Sequence, residues 1–102
     1  MNKKVNSLNE IKKVLGQEKK SLAMYGVTKI GVFGSFSFGD FNQKSDVDIL
    51  INLNRNNKIS LFDLIGMEND LSSKLGRKVD LVTKNGLNPY LKDNILKSTV
   101  YV

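Results

Sequence analysis

The chain has 102 residues, 40% of them hydrophobic, and neither a linker nor a low-complexity segment divides it, so we expect one domain over residues 1–102. It contains no cysteine and no histidine, which excludes disulfides, thiolate and imidazole metal ligands and a histidine general base. No apolar run approaches the ~20 residues that span a bilayer, and the lysine-rich start lacks the apolar core of a secretion signal. These features favour a cytoplasmic protein.

The formal net charge of +6 and the pI of about 9.6 make nucleic acid one candidate partner, because lysine and arginine attract phosphates. No groove-reading or aromatic-stacking motif accompanies this charge. Scattered lysines usually form a solvated surface, so we favour that interpretation over specific binding of nucleic acid.

Apolar spacing and turn residues predict alternating helices and strands in the first half of the chain. An amphipathic helix begins after Ser7 and ends near Gly26. Two short apolar runs, Lys29–Phe33 and Val47–Leu53, then predict two strands. A polar turn at residues 54–57 follows the second strand.

The second half of the chain is predicted to add two helices and a third strand. A helix begins after Ser60 and ends at Gly76, Arg77–Thr83 forms the strand, and Asn88 caps a last helix. Together the elements predict an α/β fold, a small mixed sheet of three or four strands covered by helices. The apolar stripe of the helix after Ser60 is expected to face the core. Its members are Leu61, Leu64, Ile65, Leu71 and Leu75.

Three aspartates lie on or beside the predicted apolar strands. Asp46 and Asp48 flank Val47, and because alternate side chains of a strand share a face, these carboxylates point the same way, ~6–7 Å apart at the backbone. Asp80 interrupts the third strand, and a sheet can bring it next to the first pair. Carboxylates in apolar strands repel each other and lose hydration unless a cation lies between them. Their hard oxygen ligands favour Mg²⁺.

A glycine and a serine follow the first strand and predict a phosphate-binding turn opposite these acids. Gly34 lets the backbone approach a ligand closely, and Ser35 offers a hydroxyl and the first amide of a short helix. Taken alone, Gly34 and Ser35 would more simply end a strand, and Asp46 would cap a turn. Their occurrence together with Asp48 and Asp80 favours a site for phosphate and metal.

The stretch Gly34-Ser35-Phe36-Ser37-Phe38-Gly39, followed by Ser45-Asp46-Val47-Asp48-Ile49-Leu50, resembles the Gly-Ser and Asp-x-Asp signature of the polymerase-beta-like nucleotidyltransferase superfamily. With so short a chain, the protein is most similar to the minimal nucleotidyltransferase (MNT) group. Members of that group commonly act as antitoxins to HEPN-domain toxins. The resemblance spans about residues 28–84 and implies the polymerase-beta-like nucleotidyltransferase fold.

The resemblance also implies a reaction and roles for the site residues. AMP from ATP would be attached to a hydroxyl, with a tyrosine of a HEPN toxin as the favoured acceptor. Asp46 and Asp48 would hold Mg²⁺ at the nucleotide phosphates, and Asp80 would act as the base or as a ligand of a second ion. Gly34 and Ser35 would hold the departing phosphates in line.

The chain departs from the group at Phe38, where many minimal enzymes carry an arginine just before the second glycine. Without that phosphate-facing charge, two alternatives stand beside the enzyme. One is an MNT-like subunit that neutralises its partner by binding alone, and the other is a module that binds nucleotide or nucleic acid. The intact set of Asp46, Asp48 and Asp80 favours the enzyme, because an inactive site has no need for three acids in apolar strands.

Overall fold

The computed structural model describes residues 4–102, and within that range helices and strands alternate around one sheet. None of the helices in the described range is long and apolar enough to cross a membrane. The elements are α1 (Leu8–Ala23), β1 (Val27–Phe33), α2 (Ser35–Phe38), β2 (Val47–Leu53), α3 (Leu61–Leu75), β3 (Val79–Thr83), a 3-10 turn (Lys84–Gly86), α4 (Pro89–Ser98) and β4 (Val100–Tyr101).

The longer helices begin at the side-chain caps that the sequence predicts. The Ser7 hydroxyl accepts the amide of Glu10 at 3.1 Å, while the Glu10 carboxylate accepts the amide of Asn6 rather than that of the cap. At α3, Ser60 and Asp63 form a reciprocal capping box. These caps satisfy amide groups that the first turn of a helix leaves without intrahelical acceptors.

The sheet is mixed and has the strand order β3-β2-β1-β4. β1 is antiparallel to both β2 and β4, whereas β2 and β3 are parallel and are joined by the crossover helix α3. The predicted α/β class with three or four strands is therefore confirmed. β3 begins at Val79 rather than at the predicted Arg77, because Arg77 lies in the bend that follows Gly76, the glycine that ends α3.

One face of the sheet packs on α1 and α3 and forms the core. In β2 the residues on this face, Val47, Ile49 and Ile51, are each 0% exposed. The prediction that the whole apolar stripe of α3 faces the core is wrong at Leu61 and Ile65, which are 70% and 46% exposed. Leu64, in the first turn of α3, is partly buried against the core, and the fully buried residues lie in the later turns. The residues of α1 and α3 buried in that core are Ile11, Leu15, Leu22, Met67, Leu71 and Leu75.

The other face of the sheet carries the alternate residues of β2, namely Asp48, Leu50 and Asn52. Leu50 is also 0% exposed, although it lies outside the main core cluster. On the described chain, α4 packs on β1, and the Ser37 hydroxyl of α2 donates to the Ser98 carbonyl at the end of α4. The sheet thus has an apolar face for stability and a second face that contains acidic side chains.

Candidate functional site

Strand pairing brings the predicted site residues to one edge of the second face. Asp48 pairs across the antiparallel ladder with Phe33, the last residue of β1, and across the parallel ladder with Asp80. Neighbouring strands lie about 4.8 Å apart, so the Asp48 and Asp80 carboxylates are close neighbours on one face. Gly34 follows Phe33 directly, which places the Gly34–Ser35 turn beside the same carboxylates.

Gly34 has a backbone conformation and a position that only glycine accommodates. Its φ is +74°, in the region that side chains rarely adopt, and a Cβ atom built on it would lie 2.2 Å from Oδ2 of Asp48. The Gly34 carbonyl accepts the amides of Ser37 at 3.0 Å and Phe38 at 3.1 Å, which starts the short helix α2 at Ser35. The glycine therefore lets the turn that carries Ser35 lie directly against the acid of β2.

Among residues 4–102, no basic side chain forms an ion pair with the carboxylates of the site. The pKa of Asp48 is raised from its ordinary 3.8 to about 6, mainly by burial and then by the negative charges of Asp80 and Asp46, in that order of importance. Within residues 4–102, no salt bridge and no hydrogen bond reaches any of these three carboxylates. Each of the three residues is only partly exposed to solvent. A cation bound here would relieve the repulsion that raises the pKa of Asp48.

The donor set fits Mg²⁺ held jointly with a nucleotide rather than a metal held by protein alone. In the described part of the chain, no three acidic side chains converge on a preformed metal position. Asp46 lies one residue before β2, outside the ladder that fixes Asp48 and Asp80. Mg²⁺ is commonly bound by one or two carboxylates together with substrate phosphates and water, so an incomplete protein shell is compatible with it.

Phe38 occupies the position at which an arginine would face phosphate. It ends α2, is 71% exposed and precedes Gly39, whose φ of +86° ends the helix. Lys44, a candidate replacement for the missing charge, is also exposed and belongs to the loop that precedes β2. Lys44 forms no ion pair with the site acids among residues 4–102.

Arg77 belongs to the surroundings of the site and was missed by the sequence analysis. It is only 6% exposed, and its guanidinium donates to the carbonyls of Asn42 and Ser45, in the loop that leads into Asp46. A basic residue directly after a helix-ending glycine has no local feature that distinguishes a buried role from a solvated one.

The fold and the site together define a nucleotidyltransferase, and comparison with known proteins agrees. The family model for the nucleotidyltransferase domain matches residues 8–102, so the chain belongs to that family. This membership confirms the predicted enzyme class and the resemblance to minimal nucleotidyltransferases.

Relatives of similar length support this membership. A Methanocaldococcus jannaschii protein named for protein adenylyltransferase activity is 44% identical over 100 residues, which cover 96% of this chain and 100% of that protein. The protein adenylyltransferase MntA of Thermococcus cleftensis is 40% identical over 97 residues, which cover 94% of this chain and 96% of the relative.

Solved structures agree on the fold. A minimal nucleotidyltransferase matches with a TM-score of 0.69 and 28% identity, covering 90% of this chain and 88% of that chain. A chain in the structure of the tri-AMPylated Shewanella oneidensis HEPN toxin with MNT antitoxin matches with a TM-score of 0.65 and 19% identity, covering 89% of this chain and 70% of that chain. The polymerase-beta-like nucleotidyltransferase fold is thus confirmed.

Proposed function

We propose that this protein is a Mg²⁺-dependent protein adenylyltransferase that transfers AMP from ATP to a tyrosine hydroxyl of a HEPN-domain toxin and thereby acts as an antitoxin. The observation that carries the proposal is the contact between the two motifs of the site. Gly34 lies so close to Asp48 that no Cβ atom fits between them, and Asp80 is the paired neighbour of Asp48. Phosphate and metal would therefore meet at one position.

The proposed roles follow from the position of each side chain. Asp46 and Asp48 would hold Mg²⁺, and Asp80 would share a second ion; bound metal neutralises phosphate charge and makes the acceptor hydroxyl easier to deprotonate. With a pKa of about 6, Asp48 is mostly ionised at neutral pH and is available as a ligand. Asp80, on the adjacent strand, would accept or direct the proton of the hydroxyl.

The turn before α2 would bind the departing pyrophosphate. The first turn of a helix leaves amide groups without intrahelical acceptors, and the hydroxyl of Ser35 lies at this turn. Gly34 allows the backbone to approach the phosphates without a steric block. The reaction is thus one of positioning and charge stabilisation, with no covalent enzyme intermediate.

The acceptor and the compartment are proposed from the relatives and from the chemistry. Two relatives with at least 40% identity are named protein adenylyltransferases, which supports a protein acceptor. A neighbour in fold comes from a complex between an AMPylated HEPN toxin and an MNT antitoxin, which supports a HEPN partner. Tyrosine is the proposed acceptor because its hydroxyl, with an ordinary pKa of about 10, loses its proton more readily than the hydroxyl of serine or threonine. The expected compartment is the cytoplasm, where ATP is abundant.

The test is transfer of label from ATP labelled on its α-phosphate to a HEPN-domain protein encoded beside this one. We expect the wild type with Mg²⁺ to label a tyrosine of the partner, and Asp80→Asn to bind the partner without labelling it. ATP labelled on the γ-phosphate serves as the control, because AMP transfer releases that phosphate in pyrophosphate. A stable complex that receives no label from any nucleoside triphosphate would contradict the proposal.

A second candidate function is neutralisation of the partner by binding alone, and the exposed Phe38 favours it. A neutral aromatic group at this position supplies no charge to the phosphates. Phe38→Arg separates the two functions, because 71% of this side chain is already exposed and the substitution leaves the core unchanged. If phosphate binding limits transfer, the variant labels the partner faster than the wild type. If the protein only binds, the variant leaves labelling at background.

A further inference from the structure

We infer that Arg77 is a positioning residue for nucleotidyl transfer: its buried guanidinium fixes Asp46 relative to Ser35 by holding the loop before β2 and helix α2 together. This inference rests on the proposed function, since it assigns Asp46 and Ser35 to the reaction. It concerns a residue outside the Gly-Ser and Asp-x-Asp motifs.

The guanidinium of Arg77 is almost fully saturated with hydrogen bonds to uncharged acceptors. Nε donates to the Val5 carbonyl at 2.6 Å, and Nη2 donates to Oδ1 of Asn6 at 3.1 Å. Nη1 donates to the carbonyls of Asn42 at 3.0 Å and Ser45 at 2.9 Å. Within residues 4–102, Arg77 forms no ion pair. A buried arginine that is bound only by carbonyl and amide oxygens fixes the backbone that carries those oxygens.

The loop that Arg77 holds also closes on itself. The amide of Asn42 donates to the hydroxyl of Ser45 at 2.8 Å, and the amide of Ser45 donates to the carbonyl of Asn42 at 3.1 Å. This closed turn presents two of its carbonyls to the same nitrogen of Arg77. Its geometry is therefore set from inside the protein rather than by solvent.

Asp46 depends on this loop, whereas Asp48 does not. Asp48 lies in β2, an inner strand of the sheet, and is held by pairing with Phe33 and Asp80. Asp46 precedes the ladder, which begins at Val47, and directly follows Ser45, whose carbonyl binds Arg77. The guanidinium thus supplies the anchor that strand pairing does not give to Asp46.

The same guanidinium also contacts the helix that carries Ser35. Its Cζ atom lies 4.9 Å from the ring centroid of Phe36, which is 2% exposed and follows Ser35 directly. That ring stacks on Phe41 with centroids 4.3 Å apart and an interplanar angle of 11°. Cation–π and stacking contacts of this kind are directional, so they fix α2 against the loop. A single side chain therefore sets the position of Asp46 relative to Ser35.

Arg77→Lys separates charge from positioning, because lysine keeps the positive charge but lacks the planar fork of donors. Circular dichroism first verifies that the variant is folded. In hydrogen exchange, we expect the backbone amides of residues 42–46 to exchange at least ~10-fold faster than in the wild type, while those of residues 49–51 stay protected. Affinity for AMP-PNP with Mg²⁺ should fall ~10-fold or more, and kcat for labelling should fall 10–100-fold, roughly, with an unchanged KM for the partner.

Leu71→Ala is the control for lost stability, because Leu71 is 1% exposed in the core and takes no part in the hydrogen bonds or the ring contact of Arg77. It should destabilise the fold without faster exchange in residues 42–46 and without loss of nucleotide affinity. The inference is overturned if Arg77→Lys keeps the loop protection and nucleotide affinity of the wild type. It is equally overturned if Leu71→Ala produces the same local losses, since Arg77 would then act only through stability.

If Arg77→Lys does not fold, Phe36→Leu tests the same link from the side of α2, because it removes the ring that contacts the guanidinium. Weaker binding of AMP-PNP with Mg²⁺ supports the inference, and unchanged binding overturns it. Failure of the wild type to label any partner rejects the proposed function instead. The exchange and binding measurements do not need a partner, so they still decide the role of Arg77.

Discussion

The two faces of β2 show how one strand serves both stability and chemistry. Val47, Ile49 and Ile51 point into the core and are completely buried, whereas Asp48 and Asn52 alternate with them on the other face. On the core face these three side chains belong to the hydrophobic cluster. On the other face the pKa of Asp48 is raised to about 6, and the buried Oδ1 atom of Asn52 has no hydrogen-bond partner among the described atoms.

This difference indicates that the second face of the sheet, here called the polar face, is arranged to bind a ligand and not only to stabilise the folded state. Unpaired buried polar atoms and neighbouring carboxylates cost free energy, and natural proteins retain such groups mainly where a ligand or reaction needs them. Substitutions on the two faces should therefore separate. Substitutions on the core face should lower the free energy of unfolding and leave nucleotide binding intact. Substitutions on the polar face should affect nucleotide binding more than stability.

The largest change in stability is expected on the core face, from Ile49→Ala. Ile49 is 0% exposed, so the substitution removes buried methyl groups and leaves a cavity. The free energy of unfolding should fall by about 2–5 kcal/mol. Urea denaturation followed by circular dichroism measures this. The rate of AMP transfer per folded molecule should stay within twofold of the wild type, and a larger loss would show that the faces are not separable.

Gly34→Ala is expected to have a smaller effect on stability and a specific effect on the site. The new Cβ atom would clash with Oδ2 of Asp48 at 2.2 Å, and the positive φ of +74° adds strain. We expect a loss of about 1–3 kcal/mol of stability together with loss of nucleotide binding. Thermal unfolding and titration with AMP-PNP measure the two effects.

Gly39→Ala is the matched control for Gly34→Ala. Gly39 has a similar φ of +86°, but a Cβ atom there meets nothing within 4 Å. The control also puts a side chain at a positive φ, with milder strain because the ψ of Gly39 is 8° rather than the −148° of Gly34, and it causes no clash. It should therefore lose stability but keep nucleotide affinity. Equal losses of affinity in both variants would mean that backbone strain, and not contact with Asp48, explains the effect.

The smallest effect is a pH-dependent gain in stability from Asp48→Asn in metal-free protein. The pKa of Asp48 is about 6 in the folded state against an ordinary 3.8, so between these values the unfolded state ionises first. The wild type therefore loses stability as pH rises through this window. The variant should unfold at a higher temperature than the wild type above pH 6, and the gain should disappear near pH 4.

Thermal unfolding in EDTA across this pH range checks the prediction. Asp93→Asn, which removes an exposed carboxylate of α4, provides the matched control. A gain for Asp48→Asn that is the same at pH 4 and above pH 6 would contradict the stated electrostatic cause.

The sequence predicted the features that depend on local pattern. Capping residues marked the starts of α1 and α3, apolar runs marked β1 and β2, and alternation placed Asp48 on the face opposite Ile49. Gly34, which follows the first apolar run, and Asp80, which interrupts the third predicted strand, were assigned to the same site because they occur together with Asp46 and Asp48. These signals are local, since they arise from neighbouring residues along the chain.

The features that the sequence did not predict depend on contacts between distant segments. Arg77 is buried by acceptors from Val5 and Asn42, which lie 72 and 35 residues away along the chain. β4 is a strand only because Val100 and Tyr101 pair with the free edge of β1. The exposure of Leu61 likewise depends on how far α3 extends past the core. No local pattern carries this information.

The most direct test of the central claim is calorimetric titration of AMP-PNP with Mg²⁺ into the wild type and the Asp46→Asn, Asp48→Asn double variant. The claim is that the polar face binds metal and nucleotide together through its carboxylates. We predict weak binding of Mg²⁺ alone, tight binding of Mg²⁺ with AMP-PNP, and a loss of ~10-fold or more in the double variant, which should stay folded because both substitutions keep shape and remove repulsion. Unchanged affinity of the double variant for AMP-PNP with Mg²⁺ would contradict the claim.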